Sequence, residues 1–404
     1  MIIRNLKLFE NIKSADPDPI LGLTEKFNLD QRLNKINLSV GVYQDSYGET
    51  PTFDVVRNAE KLLLNNASTK SYKPIIGDEE FGLLVKNLVL GKIITKQRGN
   101  TAKTIHTPGG TGALRVVMDY FSKFHKDSVF WISKPSWPNH KQITNASNLN
   151  FNEYSYFNFE ENGLDFNNML NDLSRIKRGD VVLLHGCCHN PTGVDLNQSQ
   201  WETISDLLLD KKAIPLIDFA YQGFGDGINE DSEGLRKIVQ KNQESIICSS
   251  FSKNFGLYSE RVGALTVLCS ENILLENVIS QMKVCIRSNY SNPPSHGGDI
   301  VKLILSDSTM RKEWEKELNQ IRNRMKNMRN DLVLKLQKFN SKKDFSFIKS
   351  QRGMFSMSGL NLEQVKELRE NYAIYIVDSG RINIAGINSN NIDRLSESIV
   401  SVIS

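Results

Sequence analysis

Cysteine is scarce. The chain holds five in 404 residues, Cys187, Cys188, Cys248, Cys269 and Cys285, an odd number with no paired CxxC spacing. That argues against a disulfide framework and favours a reducing compartment. Long apolar runs are missing as well: no stretch approaches the length that spans a bilayer. The opening "MIIRNLKLFENIKSADPDP" lacks the sustained apolar core of a secretory signal, and Glu10, Asp16 and Asp18 come too early for a transit peptide. A cytoplasmic protein is therefore expected. Nor is there charge of one sign in blocks. A formal net charge of +4 spread over the whole length leaves no footprint for nucleic acid or an anionic membrane, so neither is expected as a partner. Long homopolymer tracts and internal repeats are absent too, so no low-complexity insert is expected.

What remains is ordinary globular material, 39% apolar and 24% charged, enough to bury a core. At this length two packed units are expected. Between about residues 101 and 269, short β-branched apolar runs alternate with longer helical patterns, the mark of an α/β fold with a parallel sheet covered by helices on both faces. The strands are "TIHT", "SVFWIS", "DVVLLHGCC", "AIPLIDF", "SIICSSF" and "GALTVL", and the segments after "GGTG" and "GVDLNQSQ" read as helices. Functional groups belong at the carboxyl ends of such strands. After Ser306 the pattern changes: Trp314, Leu318, Ile321, Met325, Met328 and Leu332 recur at spacings of four and three, which predicts one long amphipathic helix linking two domains. Beyond it, "FSFIKS", "GMFSMSGL", "YAIYIVD" and "RINIAG" read as strands around the helix "NLEQVKELREN", followed by a last helix from Asn391, an α+β unit.

"TPGGTGALRVV" follows a strand and opens a helix, so the free N–H groups of Gly110, Thr111 and Gly112 can face an anion at the favourable end of the helix dipole. Two nucleotide motifs are excluded. The dinucleotide fingerprint needs a glycine where Arg115 stands, and the P-loop needs a Gly-Lys-Ser/Thr that is absent. A small phosphorylated cofactor fits better.

"SSFSKNFGLYSERVG" places Lys253 just beyond an apolar strand, where desolvation lowers an amine's pKa and makes it a nucleophile suited to a Schiff base. Ser250, Ser252 and Arg261 around it suit an anion. Amine and phosphate together suggest pyridoxal phosphate, whose pyridine nitrogen also needs a buried carboxylate. "AIPLIDFAYQGF" supplies Asp218 at the end of an apolar strand, where a lone carboxylate is costly and a cationic partner is expected. Tyr221, three residues on, could reach the phenolic oxygen.

With "HNPTGVD", "DFAYQGF", "SFSKNFGLYSERVGAL", "YSNPP" and "GRINIAG" in order, the sequence resembles the class I pyridoxal-phosphate aminotransferases (fold type I), in particular those of the aspartate type, over nearly its whole length. The resemblance implies that Lys253 binds the cofactor and moves the substrate proton. Asp218 pairs with the pyridine nitrogen, Tyr221 and Asn190 bond the phenolic oxygen, Trp137 stacks on the ring, and Gly110, Thr111, Ser250 and Arg261 hold the phosphate. Tyr72 reaches that phosphate from a neighbouring subunit, implying a homodimer with shared sites. Arg381 grips the α-carboxylate of the substrate, Arg287 comes from the partner to take the distal carboxylate of aspartate or glutamate, and Gly41 lies against the substrate. The implied architecture has an N-terminal arm (1–12), a small α+β domain from both chain ends (13–49 and 321–404) and a large cofactor-binding domain (50–320). The implied reaction is ping-pong exchange between L-aspartate and 2-oxoglutarate.

Three residues depart from the pattern. Gly109 stands where a serine often adds a phosphate contact, Gln44 replaces an arginine, and Met357 replaces an aromatic near the substrate pocket, where its flexibility could admit aromatic amino acids. "HGCCH" offers soft ligands, but in a strand His185, Cys187 and His189 would share one face and Cys188 the other, and no second ligand cluster follows. No metal centre is expected. A fold that has lost turnover is disfavoured by the complete set Lys253, Asp218, Tyr221 and Arg381, and a cofactor-free Schiff-base lyase would have no use for the phosphate cradle.

Overall fold

The computed structural model describes residues 9, 10, 12–15, 18, 20–66, 69–339 and 342–403; the expected N-terminal arm lies mostly outside them. Seven strands form the central sheet: β1 (Ala102–Pro108), β2 (Phe130–Lys134), β3 (Phe151–Ser155), β4 (Val181–His185), β5 (Ile214–Phe219), β6 (Ser245–Ser250) and β7 (Val262–Leu268). Their order is β1-β7-β6-β5-β4-β2-β3. Every pairing is parallel except those of β7, which runs against both β1 and β6.

β4, β6 and β7 are buried at every position, as their unbroken apolar runs require when helices cover both faces. Alternate residues feed opposite cores. Leu184, Ile217 and Ile247 pack into one, while Leu183, Leu216 and Cys248 pack into the other. β3, "FNEYS", was not among the expected strands, because a polar edge strand carries few apolar residues to announce it.

Two helices position the site. The first, α1 (Gly109–Phe124), starts directly at the end of β1, and the second, α2 (Pro138–Ala146), carries proline at its first turn behind Trp137. The long helix α3 (Ser308–Lys338) begins with Asp307 accepting from the Thr309 and Met310 amides and buries Trp314, Leu318, Ile321, Met325 and Leu332; Met328 is only half-buried. Both chain ends then meet in one small unit. Ile36–Asn37 pairs in parallel with Ile374–Tyr375, and Phe355–Met357 pairs antiparallel with Arg381–Asn383.

Two strand expectations are corrected. "FSFIKS" is not a strand but a helical turn, Phe347–Ser350. Asp344 accepts from the Ser346 amide and hydroxyl, which starts the turn, and the buried pair Phe345 and Ile348 has a helical spacing of three. "DVVLLHGCC" leaves the sheet at His185, and Cys188 takes a φ of 51°, so the alternation of faces expected for His185, Cys187, Cys188 and His189 does not hold. The groups sort differently: His185 lies with His140 and Asp218, and Cys187 and Cys188 with Asp231, with ligand atoms within 4.8 Å of one another in each set.

Candidate active site

The strands deliver their ends to one edge of the sheet. β1, β4, β5 and β6 finish there, and because β7 runs the other way it begins there, so Arg261, one residue before it, arrives beside Ser250 and Pro108. A cavity of about 430 Å³ opens at this edge. Gly41, Gly110, Thr111, Trp137, Asn190, Asp218, Tyr221, Ser250, Lys253, Arg261 and Arg381, all expected from the sequence, line it. Ser252, read from the sequence as part of an anion site, lines it as well; so do Ile20, His185, Tyr258 and Phe355, to which sequence reasoning gave no role there.

At the floor, Asp218 Oδ2 sits 2.8 Å from His140 Nε2, whose Nδ1 lies 2.9 Å from Ser136 Oγ. If the serine hydroxyl donates to Nδ1, the Nε2 proton faces the carboxylate. Burial raises the pKa of Asp218, but the hydrogen bond from His140 and the nearby basic groups, the Lys253 amine among them, together hold it below the usual carboxylate range. His140 is a positioning residue that the sequence reading missed. The available signal was its place three residues after Trp137, one turn into α2. His185 stands beside it at 5.1 Å between ring centroids, and neither of its nitrogens has a partner among the described residues. Burial pulls its pKa down to about 3, so the ring is neutral.

Lys253 Nζ lies 4.8 Å from the centre of the Tyr221 ring. Desolvation brings its pKa from 10.5 to about 8, with Arg261 adding to the effect and Asp218 opposing it. Burial pushes the Tyr221 phenol up. At the opposite end from Asp218, α1 has no side-chain cap, and the Arg261 guanidinium donates to Ser252 Oγ at 3.2 Å. Among the described residues Arg261 forms no ion pair. Gly109 has a φ of +74°, and a Cβ there would come within 2.5 Å of Arg261 Nη2, so the guanidinium fills the space a serine would take. Gly110 lies so close to β6 that a Cβ would be 3.2 Å from that of Ser250.

Arg381 enters from the small unit. It donates to Asn190 Oδ1 at 3.2 Å and to the Ser39 carbonyl at 2.6 Å, with its guanidinium carbon 4.0 Å from the centre of the Phe355 ring. Its Nε is buried without a partner among the described residues. A buried guanidinium that lines the cavity and forms no ion pair among the described residues is a place for a carboxylate. Gly41 lies against Phe355, and its loop is held by Asn383 Nδ2 on the Val40 and Val42 carbonyls at 2.7 and 2.9 Å, and by the Tyr258 hydroxyl accepting from the Tyr43 amide at 2.9 Å.

Tyr72 and Arg287 are not in this cavity. Tyr72 is 93% exposed, and both residues line a separate groove with Lys70, Lys73 and Tyr290. Met357 is not there either. It is buried in the core opposite Arg381 in the strand pair, so its flexibility does not widen the pocket as expected.

The residues present fit pyridoxal phosphate. A buried amine, a buried ionised carboxylate and an uncapped helix start beside a guanidinium that forms no ion pair among the described residues answer the aldehyde, the pyridine nitrogen and the phosphate in turn.

The Aminotransferase class I and II family model matches residues 34–399. The aspartate aminotransferase of Escherichia coli (strain K12) is 48% identical over 396 residues, 98% of this chain and 100% of that one. The aromatic-amino-acid aminotransferase of Paracoccus denitrificans is 42% identical over 392 residues, covering 97% and 99%. Among solved structures, an aromatic-amino-acid aminotransferase from Burkholderia pseudomallei, covalently bound to pyridoxal phosphate, superposes with a TM-score of 0.96 at 41% identity, covering 99% of this chain and 100% of that one.

Proposed function

Since the chain belongs to the class I and II aminotransferases, enzymes that depend on pyridoxal phosphate, we propose that it exchanges amino groups between L-aspartate and 2-oxoglutarate in a ping-pong cycle. When bound, pyridoxal phosphate supplies an electron sink and a temporary carrier for the amino group. The chain's own residues do the rest. Lys253, with an amine that loses its proton near pH 8, would bind the aldehyde and, once displaced by substrate, take the proton from the substrate's Cα. Asp218, kept ionised by His140, would hold the pyridine nitrogen protonated. Tyr221 and Asn190 would bond the phenolic oxygen, and Trp137 would cover the ring. Gly110, Thr111, Ser250 and Arg261 would take the phosphate, and Arg381 would orient the substrate through its α-carboxylate beside Gly41.

The observation that carries the reading is the pairing of a buried amine with a buried carboxylate in one cavity that the Arg381 guanidinium also lines. Dicarboxylate choice is assigned to Arg287 and part of the phosphate site to Tyr72, both supplied by a partner. Their shared position on an exposed groove outside the cavity supports a homodimer with sites completed across the interface. The domain division at residues 13–49 with 321–404 and 50–320 is proposed with it. We also place the enzyme in the cytoplasm; among the described residues no helix is long and apolar enough to cross a membrane.

A second reading, broader taste that includes aromatic amino acids, is supported by the aromatic-amino-acid aminotransferases that match over 97% and 99% of the chain. Titrating the purified enzyme separately with L-aspartate and L-phenylalanine while following its visible absorption distinguishes the two. Aspartate is expected to discharge the band and phenylalanine barely to change it. Equal conversion by both would remove Arg287 as the selector and favour the broader enzyme.

A further inference from the structure

Behind the cavity wall, one buried side chain ties the segment carrying Tyr221 to the segment carrying Lys253. Asn254 is 1% exposed, and its Nδ2 donates to the Gln222 carbonyl at 3.1 Å. Each partner is the chain neighbour of a site residue: Gln222 follows Tyr221 and Asn254 follows Lys253. Lys253 itself sits in a turn closed by the Gly256 amide on its carbonyl at 3.0 Å, and a turn alone does not fix where a long side chain stands relative to another loop.

Both anchors are rigid. Gln222 Nε2 has the Leu88 carbonyl at 3.1 Å, the Ile228 carbonyl at 3.0 Å and Ser232 Oγ at 2.9 Å within reach. The loop after it is gathered by Asp231, whose carboxylate accepts from the amides of Gly223, Gly225, Asp226 and Gly227. On the other side Trp314 Nε1 donates to the Asn254 carbonyl at 2.6 Å, and its ring stacks on Phe255 at 4.4 Å. Asn254 Oδ1 is buried without a hydrogen-bond partner among the described residues, and an apolar side chain of that size would remove this orphan only by leaving the Gln222 carbonyl unpaired, so stability does not by itself favour the amide. What the amide adds is its single donor bond between the two loops.

We propose that Asn254 is a positioning residue: hung from the Gln222 carbonyl, it holds the Lys253 amine over the Tyr221 phenol and so sets the geometry of proton transfer without touching substrate or cofactor. The inference rests on the roles assigned above to Lys253 and Tyr221. Its test uses full-length Asn254→Ala and Asn254→Leu, with Trp314→Phe as the control that removes the bond to the same residue's carbonyl, and Lys253→Ala as the control on the underlying reading.

Two readouts are taken besides melting temperature: kcat and KM of the loaded enzyme, and the pH at which Lys253 is half-labelled by an amine reagent in the cofactor-free protein. Asn254→Leu, which removes the donor and the orphan acceptor but leaves the Gln222 carbonyl unpaired, is expected to melt close to wild type. Its kcat should nevertheless fall on the order of ten- to a hundredfold with KM little changed, the signature of misplaced reacting groups. The labelling midpoint should move in both Asn254 variants and stay put in Trp314→Phe. Wild-type kcat and midpoint in Asn254→Leu, beside an inactive Lys253→Ala, would overturn the clamp and leave the role of Lys253 standing. A loss of kcat that merely tracks melting temperature across all three variants would also overturn it. An active Lys253→Ala would bring down both.

Discussion

Lys253 shows what burial does to one side chain. Its ammonium costs folding free energy at neutral pH, because the folded pKa of about 8 lies below the ordinary 10.5. Folding therefore releases a proton between these two values, and stability of the cofactor-free protein should rise with pH across that window. Below about pH 8 the penalty is complete, and above 10.5 it is gone. Lys253→Met should accordingly be more stable than wild type at pH 7, with the gap closing as pH climbs toward 10.5; urea denaturation at several pH values measures it. A variant that is less stable at pH 7, with a gap that does not narrow, would show that the ammonium is not the costly group. The lysine and Asp218 could be read from the sequence because each ends an apolar run. His140 was not, since its place one turn after Trp137 does not show that its ring reaches a carboxylate 78 positions away.

Elements meet at the phosphate end through glycine. A Cβ on Gly263, in β7, would come within 2.3 Å of the Gly109 carbonyl carbon and 2.6 Å of its oxygen, both backbone atoms at the start of α1. Neither can yield without moving the helix terminus on which the anion site depends. Gly263→Ala should therefore weaken retention of pyridoxal phosphate by at least about tenfold, the loss of one good charge-assisted hydrogen bond. Gly179 is the contrast: a φ of +84° and nothing within 4 Å of a Cβ. There alanine should cost about 1 kcal/mol of stability from backbone strain alone and leave cofactor retention untouched. Equilibrium dialysis and denaturant unfolding separate the two, and undiminished retention in Gly263→Ala would refute the close-contact argument. The "GGTG" turn announced a helix start facing an anion, but not that Arg261 would occupy the space beside Gly109. That follows from β7 running antiparallel, a choice made by pairing across the sheet.

At the scale of the whole molecule, the cavity contains every expected site residue except Tyr72 and Arg287, which face outward together. If a partner's pair completes each site, mixing Lys253→Ala protomers with Arg287→Ala protomers should create dimers in which one site has both groups intact. Aspartate turnover should then appear on mixing two nearly inactive proteins. Verified mixed dimers with no gain over either parent would rule out shared sites. The sequence by itself determined the α/β layout and pointed to residues that line one cavity, because apolar periodicity, turn chemistry and the types of residue that end strands are local properties of the chain. Only the tertiary structure decided that Met357 stays out of the pocket, that His140 and Phe355 belong at the site, and that Arg261 enters through a reversed strand. These depend on contacts between segments far apart in the chain, where burial and pairing across the sheet outweigh anything a short stretch of residues prefers.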